Sequence, residues 1–246
     1  MPVGIIAGTA VYDIPGVELV QEIIATPYGE ALALRGQGAD DDLVFLPRHG
    51  PQHTTPPHRV NYRANLKALE LLGVKYVLAA NAVGSINPAI PPLSLVLVDD
   101  FLDFTSGRPL SFFDGGASGV KHVDMSQPYC EKLRARLLEL APRRELTVHP
   151  RGVYVCTNGP RLESPAEIRM FGQLGGDVVG MTGVPEVTLA RELDLCFAAV
   201  AFSINWAAGI EASVQFVQEG LDTLRAGMLA WFIDALRSMA NNKTPA

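Results

Sequence analysis

The sequence predicts a single α/β domain, a central sheet flanked by helices, and three observations carry that expectation. Short, largely apolar runs at Val3–Ala7, 43–46 and 74–80 have the length and composition of strands covered on both faces. Between and after such runs, apolar residues recur at helical spacing: Val60, Ala64, Ala68 and Leu71, then Leu133, Leu137 and Leu140, then Leu221, Leu224, Met228 and Phe232. Several strand-like runs end in small or polar residues, and that edge of an open α/β sheet is where ligands usually bind.

Composition limits the possible functions. With 48% hydrophobic and 19% charged residues, the 246-residue chain has ample apolar content to fold and bury a core. A net charge of −6 without a basic block argues against nucleic acid as a partner, whereas a small anion needs only a few local cations. The first apolar run has no basic flank and no window is long enough to span a bilayer, so a cytoplasmic protein is expected. Cys130, Cys156 and Cys196 are odd in number and widely spaced, which favours reduced core thiols. No internal repeat or linker divides residues 1–246, and 241–246 read as a frayed tail.

In chain order, the first strand leads to Gly8-Thr9, where the hydroxyl either caps a turn or donates to a phosphate; the spacing is not that of a dinucleotide fingerprint. Asp40-Asp41-Asp42 reads as a solvated loop, because consecutive carboxylates in a turn diverge. The strand at 43–46 is followed by Arg48 and His49, either an exposed pair or a planar fork and a second donor for an oxyanion. A packing helix over 58–72 stops at Gly73, and the strand at 74–80 delivers Asn81-Ala82-Val83-Gly84-Ser85, whose small residues leave the Ala82 amide accessible. Residues 95–99 are strand-like. The aperiodic stretch 101–125, which holds His122, reads as a long functional or subunit-contact loop.

A helix over 129–140 and a strand over 151–156 precede Thr157 to Ser164. Glu163 there adjoins a helix start at Ser164-Pro165-Ala166-Glu167, so capping chemistry is its ordinary reading. Residues 177–181 form a short strand that runs through Gly180 and Met181 to Thr182, with Pro185-Glu186 as the next helix start. Free amides at such a start favour an anion. A helix over 186–193, a strand over 196–204 ending in Asn205-Trp206, and the final amphipathic helix complete the chain.

Gly8-Thr9, Arg48-His49-Gly50, Asn81-Ala82-Val83-Gly84, Gly159 through Glu163 and Met181 through Glu186 together resemble the trimeric purine nucleoside phosphorylase and methylthioadenosine phosphorylase family. The resemblance runs from Val3 to the last helix. It implies a mixed, partly barrel-like central sheet, a homotrimer, and cleavage of a nucleoside by phosphate with no metal or organic cofactor, phosphate being the co-substrate. Carried over by motif, Thr9, Arg48, His49, Thr182 and the Ala82 amide would hold phosphate, and Met181 would lie against the sugar. Glu163, Asn205 and His49 would be the catalytic set.

Glu163 and Asn205 match the base-binding pair of members that take 6-oxopurines. An ionised carboxylate only accepts, which suits an N1–H and repels the bare N1 of adenine; the amide donates to O6 and accepts from N7–H. Where members using ordinary nucleosides carry a histidine for the 5′-hydroxyl, this chain has Val214. Val214 and Val217 would then line an apolar slot near the start of the last helical region, with His122 of a neighbouring subunit at its edge. The mixture implies an S-methyl-5′-thioinosine phosphorylase. The alternatives are a general inosine and guanosine phosphorylase, a methylthioadenosine phosphorylase, a nucleoside hydrolase and a non-catalytic nucleoside-binding protein.

Overall fold

The computed structural model describes residues 1–8, 14–50 and 54–241. The strands are β1 (Val3–Ala7), β2 (Leu19–Thr26), β3 (Gly29–Gly36), β4 (Leu43–Pro47), β5 (Tyr76–Ser85), β6 (Leu95–Leu97), β7 (Asp100–Asp103), β8 (Val148–His149), β9 (Val153–Cys156), β10 (Val178–Gly180) and β11 (Cys196–Trp206). The helices are α1 (Tyr62–Leu71), α2 (Glu131–Leu140), α3 (Pro165–Gln173), α4 (Gly183–Glu192) and α5 (Leu221–Asn241).

β1 and β4 are buried at every position. Ile6, Val44 and Leu46 join one core with Leu66 of α1 and Val187 of α4. Their neighbours Ile5, Leu43 and Phe45 join another with Leu133 of α2 and Trp231 and Phe232 of α5. Adjacent side chains of a strand point to opposite faces, and here both faces are covered by helices. The strands therefore read as continuous apolar runs rather than as an alternation.

The sheet is mixed and branches at β5. β1 runs parallel to β5 from Tyr76 to Ala79, and β10 runs antiparallel to it at Gly84 and Ser85, on the same edge. β11 pairs with the opposite edge along its length. From β7 the pairing passes through β9, β10, β5 and β11 to β6. Only Val98 and Asp99 separate β6 from β7, so the two ends of this path are tied together and the sheet curls into a partial barrel. β2, β3, β4 and β1 extend from β5 as an open wing.

Several elements differ from the expectation. β5 continues through Asn81 to Ser85, because β10 and β11 supply partners that a single-strand reading cannot foresee. Residues 101–103 of the expected loop belong to β7, which pairs parallel with β9. The β2–β3 hairpin, turning at Pro27-Tyr28, went unrecognised: β2 is a mostly exposed edge strand whose apolar residues Leu19, Val20, Ile23 and Ile24 do not alternate with polar ones. Asp40 and Asp42 are not merely solvated. Both bind the Arg237 guanidinium of α5, at 2.7 Å each, and hold it well above its usual pKa. The capping box on α3 forms as expected from Ser164 and Glu167.

The cysteines correct the expectation of reduced thiols. Cys130, just before α2, and Cys196, at the start of β11, form a disulfide with their Cα atoms 5.1 Å apart. The fold brings together two residues that lie 66 positions apart, so no local motif announces the bond. Cys156 alone is a free, buried thiol. Among the described residues no helix is long and apolar enough to cross a membrane.

Closing a loop of that length restrains the unfolded chain. Replacing both Cys130 and Cys196 with serine should cost on the order of 2–4 kcal/mol, read from the urea midpoint. Burial pushes the Cys156 thiol up to about 12. It should therefore resist alkylation at mildly alkaline pH until the protein is denatured, as followed by intact-mass spectrometry.

Candidate active site

Between Ala79 and Gly84 the β1-side edge of β5 has no strand partner, since β1 has ended and β10 has not begun. Backbone groups of alternate residues face the same edge of a strand. The Ala80 carbonyl faces this gap, where it accepts from Arg48 Nη1 at 3.0 Å, and the Ala82 amide therefore opens into it as well. Here lies a cavity of about 580 Å³, walled by the ends of β4, β5, β10 and β11 and by the segment after β9. Its lining includes Arg48, His49, Ala82, Gly84, Glu163, Met181, Thr182, Asn205 and Val214.

Arg48 and His49 leave β4 almost fully buried, at 3% and 5% exposure. Arg48 donates through Nε and Nη2 to the two carboxylate oxygens of Glu186, at 2.5 and 2.9 Å. Burial draws the Arg48 pKa down, and the attraction of Glu186 more than restores it, leaving it above the ordinary arginine value. Glu186 was expected only as helix-start chemistry; 138 residues separate it from Arg48, and only the fold reveals the pair. His49 Nδ1 lies 2.8 Å from the Thr55 carbonyl. That oxygen can only accept, so Nδ1 is the protonated nitrogen. A Cβ at Gly8 would stand 2.7 Å from the His49 ring and 3.1 Å from Arg48 Nη1, so the end of β1 can approach the pair only as glycine. Thr9 lies outside the described residues.

The turn after β10 is built on Tyr154. A Cβ at Gly180 would fall 2.1 Å from the Tyr154 hydroxyl, and one at Gly183 would fall 2.9 Å from its ring; both glycines let the backbone lie on the phenol. Thr182 N donates to that hydroxyl at 3.3 Å, and Val184 N points to Cys156 Sγ at 3.4 Å. These amides at the start of α4 are satisfied inside the protein, which corrects the expectation that they stand free for an anion. The Thr182 hydroxyl takes over. It accepts from Asn81 Nδ2 at 3.0 Å, which leaves its own O–H to donate into the cavity. Met181 Sδ rests where a Gly159 side chain would begin, 2.3 Å away, and Gly159 has a φ of 58° besides.

Glu163 takes no part in the α3 cap; it is 9% exposed and accepts from the Thr157 hydroxyl at 2.6 Å through Oε1. Asn205 is 5% exposed, and its Nδ2 donates to the Trp206 carbonyl at 2.8 Å. The pairing of β11 with β5 shifts register between Ser203 and Asn205, so Ile204 is an extra residue in β11. Such a bulge re-aims the side chains that follow it, and here it presents Asn205 to the cavity.

The structure thus gathers Arg48, His49, Ala82, Glu163, Met181, Thr182, Asn205 and Val214 around one cavity, but not Val217 or His122. Val217 was expected beside Val214 in an apolar slot near the start of the last helical region, yet 212–220 is not helical, and the Val217 amide is tied to the Ile204 carbonyl at 2.8 Å. Phe216 joins Val214 on the wall instead. His122 is exposed, away from the cavity of its own chain. Thr54 to Pro57, Leu162 and Phe216 were missed, since none carries a chemical signature in sequence.

A glycine-fitted turn, a buried arginine on a carboxylate and a carboxylate–amide pair in one cavity of this mixed sheet define a nucleoside-phosphorylase-like fold and site. The Phosphorylase superfamily model matches residues 2–230, and the chain belongs to that family. It is 50% identical over 226 residues to a probable 6-oxopurine nucleoside phosphorylase of Moorella thermoacetica, covering 91% of this chain and 86% of that one. It is 48% identical over 218 residues to a probable S-methyl-5′-thioinosine phosphorylase of Methanopyrus kandleri, covering 88% and 83%. Among solved structures, the apo form of methylthioadenosine phosphorylase from Schistosoma mansoni superposes with a TM-score of 0.90 at 31% identity, over 99% of this chain and 92% of that one.

Removing one partner of a buried ion pair strands the other charge. Glu186→Gln should lower stability by roughly 3–5 kcal/mol, measured by urea unfolding.

Proposed function

We propose that this chain splits a 6-oxopurine nucleoside with inorganic phosphate, and that its preferred nucleoside is S-methyl-5′-thioinosine, giving hypoxanthine and 5-methylthioribose 1-phosphate. The observation that carries the reading is the presence of Glu163 and Asn205 in the same cavity as Arg48, His49 and Thr182. In this reading phosphate sits in the gap beside β5, held by Arg48, His49, the Thr182 hydroxyl, the Ala82 amide and Thr9. A phosphate oxygen bonds to C1′ as the C1′–N9 bond breaks and its electron pair leaves with the base. Fixed donors around the incoming anion place it against the anomeric carbon, while Met181 packs on the sugar. Phosphate is the co-substrate, and the reading calls for no metal or organic cofactor.

Base selection follows from what each reader already binds. Thr157 occupies Glu163 Oε1, leaving Oε2 for N1–H. Trp206 takes one Asn205 Nδ2 hydrogen, leaving the other for O6 and Oδ1 for N7–H of the departing base. Adenine offers neither N1–H nor O6, and the resulting unpaired groups can discriminate by as much as roughly 10⁴-fold.

At the 5′ end, Val214 and Phe216 make the wall apolar, and His49 is the only histidine lining the cavity among the described residues. That favours a methylthio group over a hydroxyl. The second reading, a general inosine and guanosine phosphorylase, is supported by the name of the Moorella relative. We also propose a homotrimer in which His122 reaches a neighbour's site. The exposure of Leu110 at 49% and Val120 at 73%, on the same long segment, supports a covered contact there. A cytoplasmic location completes the proposal. The Cys130–Cys196 bridge is the feature that location must accommodate, as intracellular proteins of hyperthermophiles do.

Hypoxanthine release should require phosphate, and kcat/KM should rank methylthioinosine above inosine and far above methylthioadenosine. Release without phosphate would refute phosphorolysis, and a preference for inosine would refute the apolar 5′ reading alone. Asn205→Asp, which replaces the O6 donor by a carboxylate, should lower kcat on 6-oxopurine nucleosides by about 10²–10³-fold. Light scattering should give three chains per particle.

A further inference from the structure

Arg108, in the segment between β7 and α2, is 6% exposed, and among the described residues no carboxylate pairs with it. Its Nη1 donates to the Val184 carbonyl at 2.6 Å and to the Tyr62 hydroxyl at 3.4 Å. Its Nη2 donates to the carbonyls of Thr157, Asn158 and Met181, at 3.2, 3.1 and 2.8 Å. The guanidinium also lies over the Tyr62 ring, 5.3 Å from its centroid. A buried cation without a counter-ion is costly, and backbone dipoles drawn from several segments are what stabilise this one.

Those carbonyls belong to the two walls of the site. Thr157 and Asn158 begin the segment that carries Glu163, and the Thr157 hydroxyl bonds Glu163 directly. Met181 lines the cavity beside Thr182, and Val184 lies between Thr182 and Glu186, the partner of Arg48. We propose that Arg108 is a positioning residue that fixes the Glu163 wall against the Met181–Thr182 wall, so that base and phosphate are held at the separation the reaction needs. The walls also meet directly, through the Thr157 amide on the Gly180 carbonyl at 2.9 Å and Met181 packed on Gly159; Arg108 adds the fork that fixes the Asn158, Met181 and Val184 carbonyls beyond that joint. A planar fork can span carbonyls in several directions, whereas an ammonium on a flexible stem cannot.

The test is Arg108→Lys, assayed with whichever nucleoside the wild type cleaves, so that its outcome does not depend on the 5′ reading. A misplacement of about an ångström between reacting groups costs on the order of 10²-fold. We expect kcat to fall by about that factor while the KM values for nucleoside and phosphate stay within a few-fold, the pattern of an interaction expressed only in the transition state. In Arg108→Ala, low-millimolar guanidinium should recover part of the lost kcat, and sodium or ammonium at equal ionic strength should not. A lower Tm with kcat unchanged in Arg108→Lys would reduce Arg108 to a structural role and overturn the proposal. So would raised KM values with kcat intact, because they would place Arg108 in binding one substrate.

Discussion

Strand β5 is longer than the strand beside it, and the site follows from that mismatch. β1 stops at Ala7 while β5 runs on to Ser85, where β10 takes up the same edge from the opposite direction. Between the two, backbone groups of β5 face no strand. In the middle of a sheet such groups must find other partners. One of them, the Ala80 carbonyl, is met by Arg48; the Ala82 amide is turned toward the cavity. The cavity is thus a missing piece of sheet, walled on one side by the ends of β4, β5, β10 and β11 and elsewhere by irregular chain, including Pro160 to Glu163 and Val214 to Phe216.

Charge in that gap is arranged with restraint. Arg48 is neutralised by Glu186 and oriented by it at the same time, so its remaining N–H groups project in fixed directions. An unpaired guanidinium at this depth would be costly to bury, and a carboxylate without its cation would repel an anion. The amides at the start of α4 serve the protein interior through Tyr154 and Cys156, and the Thr182 hydroxyl, oriented by Asn81, faces outward in their place. A chain with net charge −6 can in this way present a locally receptive pocket for an anion.

The glycines near the cavity are shaped to their neighbours rather than to loops. Gly180 and Gly183 admit the Tyr154 ring, Gly159 admits Met181 Sδ, and Gly8 admits His49. In each case a side chain would occupy space already filled by a group that lines or supports the wall. Gly8, Gly159 and Gly183, which stand in the motifs that resemble the family, are therefore packing constraints around a few polar groups.

The sequence by itself determined the α/β class, the principal strands and helices, and the polar residues of the cavity wall. Short apolar strands, helical spacing and polar strand ends are local properties, legible without knowing what lies opposite. Arg48, His49, Ala82, Met181, Thr182 and Asn205 stand at or near the ends of strand-like runs, and these residues and Glu163 were named through their resemblance to the family's pattern. What only the tertiary structure decided depends on contacts between distant residues. Glu186 became the partner of Arg48, Cys130 that of Cys196, and Asp40 and Asp42 those of Arg237. The bulge at Ile204 exists only as a register between β11 and β5, and Phe216 replaced Val217 on the wall because 212–220 docks as irregular chain rather than helix. Periodicity fixes which face of an element is apolar; which element meets that face, and in what register, is settled by packing the whole chain at once.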